Sequence, residues 1–203
     1  MSNYPFQMTE NEILVDPVTH DLLNNNRIYL SGEVTPEMAI AFISRMDFLI
    51  NRTENQFVRR PIDIYIHSPG GEVNSGLCII DKIQEARDKG IIVRTVNCGI
   101  SASMASVILA AGTPGERYSV PSGRVMIHQP LGGAQGQASD MVLVVEQISA
   151  LHDVLAKTIG DFTRHRASEI KKLMNRDKWF TAKEAKEFNL IDKIGFPKPN
   201  KEV

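Results

Sequence analysis

The sequence has few cysteines, no long apolar run and almost no net charge. Only Cys78 and Cys98 occur in its 203 residues, and their spacing matches no metal-binding motif. A reduced, cytoplasmic setting is therefore the default. Cys98 lies close to Ser103 in the chain, but a small buried hydrophobe is its simpler reading. No apolar stretch approaches the roughly 18–20 residues of a membrane span. Met1–Glu10 lacks both the basic start and the apolar core of a signal peptide. A formal net charge of -1 leaves no electrostatic footprint for nucleic acid or an anionic membrane. The hydrophobic share, 42%, and the charged share, 23%, are those of an ordinary globular protein. The length suits one domain, or one domain with a small appendage, and is enough to bury a core.

Strand and helix signals alternate along the chain. Arg27–Leu30 reads as a strand closed by Ser31-Gly32. Thr35-Pro36-Glu37 is a helix start, and Met38, Phe42, Met46 and Leu49 mark its apolar face. Residues 51–60 read as a surface loop. Ile62–Ile66 alternates as a strand and runs into Ser68-Pro69-Gly70-Gly71. A helix is expected from Ser75 to Lys89, stopped by Gly90, then a strand from Ile91 to Val96. Ala102–Ala111 is almost wholly small or apolar, so as a helix it must be buried on nearly all sides. Val125–Ile127 is a further strand. A long amphipathic helix follows from Asp140 to Phe162, and Ser168 caps a shorter one. Thr181-Ala182-Lys183-Glu184 has the form of a capping box, and Leu190-Ile191 returns to strand. The alternation implies β–α–β crossovers and an α/β fold. The helices after Asp140 and Ser168 stand outside it.

Several segments carry candidate chemistry. In Gly99-Ile100-Ser101-Ala102-Ser103-Met104-Ala105 a strand gives way through a glycine to a buried helix. A helix start leaves backbone N–H groups unpaired, suited to a developing oxyanion. Ser101, Ser103 and Ser106 compete for the role of nucleophile, and caps or packing residues are the plainer reading of all three. Gly70-Gly71 lets the backbone approach a partner closely, whether a substrate carbonyl, another chain or only its own turn. A serine nucleophile needs a base that titrates near neutrality, which suits histidine. Of five histidines, His20, His152 and His165 read as solvated, whereas His67 and His128 end apolar strands. His128 precedes an extended glycine-bearing run, Gln129-Pro130-Leu131-Gly132-Gly133, able to pair with a peptide backbone. Asp177, between Arg176 and Lys178, reads locally as a surface charge.

Together, Ser68-Pro69-Gly70-Gly71, Ser101-Ala102-Ser103-Met104, the run from Arg124 to Gln137, Arg176-Asp177 and Leu190-Ile191-Asp192 resemble one family. It is the proteolytic subunit of the Clp protease. The resemblance spans Arg27 to Ile194. It implies an α/β fold of the Clp and crotonase type, built of repeated β–α–β units. Residues 27–138 and 163–194 would form the head, with a protruding handle helix over 139–162. Residues 1–26 would be a flexible axial segment and 195–203 a tail. By this resemblance Ser103 is the nucleophile, His128 its base and Asp177 the acid that orients the base. Gly71 and Met104 supply the oxyanion N–H groups, and Gly70, Val73 and Leu131 bind substrate. Gln137 and Arg176 couple the site to a contact between rings. The family forms two stacked seven-membered rings, fed unfolded polypeptides by an ATP-driven unfoldase. The peptidase itself needs no metal, nucleotide or other cofactor.

The chain departs from the family pattern at Asp63, where an aromatic residue is usual, and at His67, where asparagine is usual. Ala105-Ser106 replaces Gly-Ala, the 51–60 loop is longer, and the N-terminal 26 residues match poorly apart from Asp21-Leu22-Leu23. These differences suggest a divergent paralogue, with a second type of subunit as a further partner. Two alternatives to an active endopeptidase follow. One is a subunit that assembles but works only conditionally. The other is a crotonase-like acyl-CoA enzyme, which shares an oxyanion hole but does not need the three residues together.

Overall fold

A computed structural model describes residues 25–54, 60–133 and 135–198. Asp21-Leu22-Leu23, His20 and most of the expected axial segment lie outside that range. In chain order the elements are β1 (Arg27–Ser31), α1 (Pro36–Glu54), β2 (Ile62–Ser68), α2 (Val73–Asp88), β3 (Val93–Ala102), α3 (Met104–Ala110), β4 (Arg117–Ser119), β5 (Arg124–Ile127), α4 (Ala138–Thr163), α5 (Ala167–Leu173), β6 (Lys178–Thr181), α6 (Ala182–Glu187) and β7 (Lys193–Ile194). The strands form one sheet, ordered β1-β2-β3-β4-β7, with β5 beside β3 and β6 beside β5. Every pairing is parallel except β5 with β6.

The central strands are rich in β-branched residues. Ile62, Ile64, Ile66, Val93 and Val96 are fully buried, as expected where helices cover a parallel sheet. α1 buries Phe42, Met46 and Leu49, on the stripe read from the sequence. α2 begins at Val73, two residues ahead of the expected Ser75, and Glu72 caps it: its carboxylate accepts the Ser75 N–H at 3.3 Å. All seven residues of α3 are buried, as its small, apolar composition requires.

β3 differs most from its expected form. The sequence pattern predicts an end near Val96 and a turn at the glycine beyond it; the strand continues to Ala102. Its first half pairs with β4 through Asn97 and its last three residues pair with β5. The fully buried Asn97 makes this change of partner possible. Its amide donates to Ser119 Oγ at 3.1 Å and to the Arg124 carbonyl at 3.2 Å, and its Oδ1 accepts from the Gly99 N–H at 3.2 Å. One side chain thus satisfies the backbone where the two ladders part.

Other boundaries also moved. α1 extends to Glu54 into the expected loop. Leu190 and Ile191 are buried just ahead of β7 rather than forming it. β4 and β6 were not anticipated. Arg117 on β4 is buried because Asp192 pairs with its guanidinium at 2.7 and 2.8 Å, and its Nη1 donates to the Phe162 carbonyl at 3.0 Å. The box at Thr181 forms as read: Glu184 accepts the Thr181 N–H at 2.8 Å, and Thr181 accepts the Glu184 N–H at 3.3 Å.

α4 is the longest helix, 26 residues. Its burial begins only at His152, and the apolar side chains of Met141 to Val145 are exposed. No helix among the described residues is long and apolar enough to cross a membrane.

Candidate active site

The parallel strands deliver their C-terminal ends to one edge of the molecule, and the chemistry-bearing residues collect there. β3 passes into α3 through Ser103, whose φ of 53° and ψ of -128° are rare for a residue with a side chain. Such a conformation costs of order 1–3 kcal/mol and persists only where its surroundings enforce it. Here the Ser103 N–H donates to the Met126 carbonyl at 2.8 Å, and its carbonyl accepts from Ser106 Oγ at 2.6 Å. The strained turn leaves the Ser103 hydroxyl 2.8 Å from His128 Nε2.

This contact separates the three competing serines. Ser101 is fully buried and donates to Asn97 at 3.1 Å; Ser106 is committed to the Ser103 carbonyl. Only Ser103 among them meets a histidine.

His128 follows β5 directly. Its side chain is largely buried, and the Gln129 N–H just beyond it donates to the Met174 carbonyl at 2.7 Å. β6 runs antiparallel to β5, with Ile127 opposite Lys178 and Met126 opposite Trp179. One step further along that register sets Asp177 beside His128, with Oδ1 3.4 Å from Nδ1. The Asp177 side chain remains 63% exposed. Residues far apart in the chain, in the order Ser, His, Asp, therefore meet in a line through β3, β5 and β6.

Gly70 and Gly71 lie against the same turn. A Cβ on Gly70, at φ +98°, would fall 2.6 Å from Ser103 Cβ and 3.0 Å from the Met104 nitrogen. Gly71, at φ +152°, bridges to Val34 so closely that a Cβ would fall 2.3 Å from the Val34 carbonyl oxygen. Glycine is required at both positions. Met104 opens α3, so its N–H has no partner within the helix.

A cleft of about 560 Å³ opens over these groups. Gly70, Gly71, Val73, Ser103, Met104, His128 and Leu131 line it, and Met126, Val107, Leu155 and Ile159 form its apolar depth. Leu131 is 81% exposed on the rim. Gln137 and Arg176 are exposed and do not line the cleft. The sequence reading missed Glu33 and Glu72, which stand at the mouth. A signal for Glu72 was available: it immediately follows the paired glycines.

Two of the remaining histidines correct the reading. His165 is not simply solvated but stacks on Phe188, ring centres 4.1 Å apart. His152 is largely buried on α4, its Nε2 has no hydrogen-bond partner, and burial lowers its pKa. His67 lies near the end of β2, as read, and its side chain is exposed. Burial pushes the Cys98 thiol up, which leaves it less reactive. No cluster of metal-binding side chains occurs among the described residues.

A mostly parallel α/β sheet with a serine–histidine pair at its C-terminal edge defines a class of hydrolase folds rather than one protein. The comparison with known families narrows it: the model of the Clp protease family matches residues 10–198. The chain belongs to the Clp protease family, and its fold is that family's. It is accordingly a peptidase acting on protein substrates, in a family whose members oligomerise and associate with ATPases.

Proposed function

We propose that this chain is a serine endopeptidase subunit that cleaves unfolded polypeptides inside a closed oligomer. The observation that carries the reading is the 2.8 Å contact of Ser103 Oγ with His128 Nε2 above an apolar cleft. That distance lets His128 take the hydroxyl proton as Ser103 attacks a carbonyl carbon. The oxyanion is received by the N–H groups of Gly71 and Met104, one such donor being worth about 3 kcal/mol of barrier. His128, now charged, gives its proton to the leaving amine. Water then attacks the acyl-enzyme by the same route in reverse. Asp177 holds His128 in the tautomer with its proton on Nδ1 and stabilises the imidazolium. Gly70, Val73 and Leu131 position the peptide strand along the cleft.

The exposed apolar run Met141–Val145 suits a helix covered by another copy of the chain. In this reading α4 is the handle between two heptameric rings, Gln137 and Arg176 lie at that contact, and a Clp-type ATPase delivers substrate. Asp63 is buried against Arg94, whose Nη2 donates to its Oδ2 at 2.7 Å. The departure at this strand is thus internally compensated, and it bears on which ATPase docks. The family match leaves the acyl-CoA alternative without support.

The exposure of Asp177 favours a second reading, in which the subunit assembles yet is active only with a partner subunit that fixes the acid. Labelling with a serine-reactive β-lactone, mapped by mass spectrometry and paired with size-exclusion mass, separates the two. The expected result is a large particle labelled at Ser103, with Ser103→Ala losing about 10⁴–10⁶ of the peptidase rate. A large unlabelled particle supports the conditional subunit. Full activity of Ser103→Ala overturns the assignment.

A further inference from the structure

Among the described residues, the two acidic or basic side chains lining the cleft, apart from His128, are Glu33 and Glu72, and no lysine or arginine offsets them there. The fold places them on the same cleft as Ser103 and His128. Val34 pairs with Gly71, its N–H donating to the Gly70 carbonyl at 2.8 Å and its carbonyl accepting the Glu72 N–H at 2.8 Å. Glu33 and Glu72 therefore flank the short ladder that holds the paired glycines against Ser103. Among the described residues, neither carboxylate meets a lysine or arginine. Among the described residues, Glu72 accepts from Asn74 and Ser75 alone, and Glu33 makes no ion pair or hydrogen bond. The rest of the cleft is apolar or neutral, apart from His128.

We infer that the cleft selects peptides carrying a lysine or arginine beside the scissile bond, with Glu33 and Glu72 as the residues that set this preference. The inference rests on the peptidase reading above and names its substrate class. An apolar side chain fills the depth lined by Met126, Val107 and Leu155, and the flanking cation reaches the two carboxylates at the mouth. Exposed ion pairs are individually weak and screened by salt. Two acting together, favourable to lysine and unfavourable to glutamate, give a discrimination of about tenfold at low ionic strength.

The test uses the intact oligomer and peptides with a single leucine flanked on both sides by lysine, alanine or glutamate. The lysine peptide is expected to exceed the glutamate peptide about tenfold in kcat/KM at low salt, and the gap should narrow in 0.5 M salt. Glu33→Gln combined with Glu72→Gln should bring the ratio to near one; glutamine keeps an acceptor oxygen for the cap of α2. Equal kcat/KM for the two peptides in the unsubstituted protein overturns the inference. Absence of cleavage for every peptide would instead count against the peptidase reading. In that case the affinities of the same fluorescently tagged peptides decide the preference: tighter lysine binding sustains it and equal Kd values overturn it.

Discussion

Replacing Gly70 with alanine tests whether backbone approach, rather than the identity of the three side chains alone, holds the site together. Two costs are separable. The first is conformational: φ is +98°, and placing a side chain in such a region costs of order 1–3 kcal/mol. The second is steric. The new methyl would sit 2.6 Å from Ser103 Cβ and 2.7 Å from the Ala102 carbonyl oxygen, and overpacking of this kind costs about 1–3 kcal/mol. Gly32 supplies the control, because its φ is +88° but a Cβ there meets nothing within 4 Å. Gly32→Ala should therefore lose only the conformational part and keep its peptidase rate. Gly70→Ala should lose more stability, by about 1–3 kcal/mol in denaturant titration. It should also displace Ser103 from His128, and a misplacement near 1 Å is worth about a hundredfold in rate. Peptide hydrolysis and unfolding would be measured on all three proteins. Equal activity and equal stability for Gly70→Ala and Gly32→Ala would refute the close-packing argument.

Two further substitutions probe the acid side chains. Asp192→Asn removes the partner of the buried Arg117 and should cost about 3 kcal/mol or more in denaturant titration; a loss under about 1 kcal/mol would mean that Arg117 finds other partners. Burial raises the Asp192 carboxyl, but the bonds from Arg117 and Gly115 outweigh it and hold the pKa below the usual value. The ion pair's stabilisation is thus fully present above the ordinary aspartate value of about 3.9 and is lost as pH falls through the depressed folded value. Asp192→Asn should lack that acid limb in a pH series of unfolding curves. Asp177→Asn should lower kcat about a hundredfold while KM changes little, the low end of the range for acid–base partners because the carboxylate is well exposed; a loss under about threefold would show that Asp177 does not orient His128.

Much of the fold was legible because its signals are local. The apolar stripe of α1, the wholly apolar α3 and the box at Thr181 each follow from a spacing or a composition. β4 and β6 were not legible in this way. β4 is three residues long and carries a buried arginine whose partner, Asp192, is 75 positions away. β6 is mostly exposed and exists because β5 pairs with it. The same distinction governs the site. His128 and the serine segment sit at strand ends, where a sequence shows them, but local pattern could not choose among Ser101, Ser103 and Ser106. The structure separates them by where each hydroxyl points. Asp177 reads as a surface charge because it is one. Its place beside His128 comes from a strand register that no local pattern encodes.

The three members of the line are held with unequal firmness. Ser103 is fixed by a strained turn, a backbone bond to Met126 and the glycine packed against it. His128 is fixed by burial and by the Gln129 bond to Met174. Asp177 has neither support: it lies just outside a short edge strand, mostly in solvent, at a longer distance from its partner. Its neighbours Asn175, Arg176 and Lys178 are exposed with it. Contacts from outside the chain can therefore shift the acid at little energetic cost, whereas moving the serine would mean repacking the core around α3. The conditional subunit proposed above needs this division. In the proposed mechanism the nucleophile and base stay built, and the acid that orients the base rests on a surface that another subunit can reach.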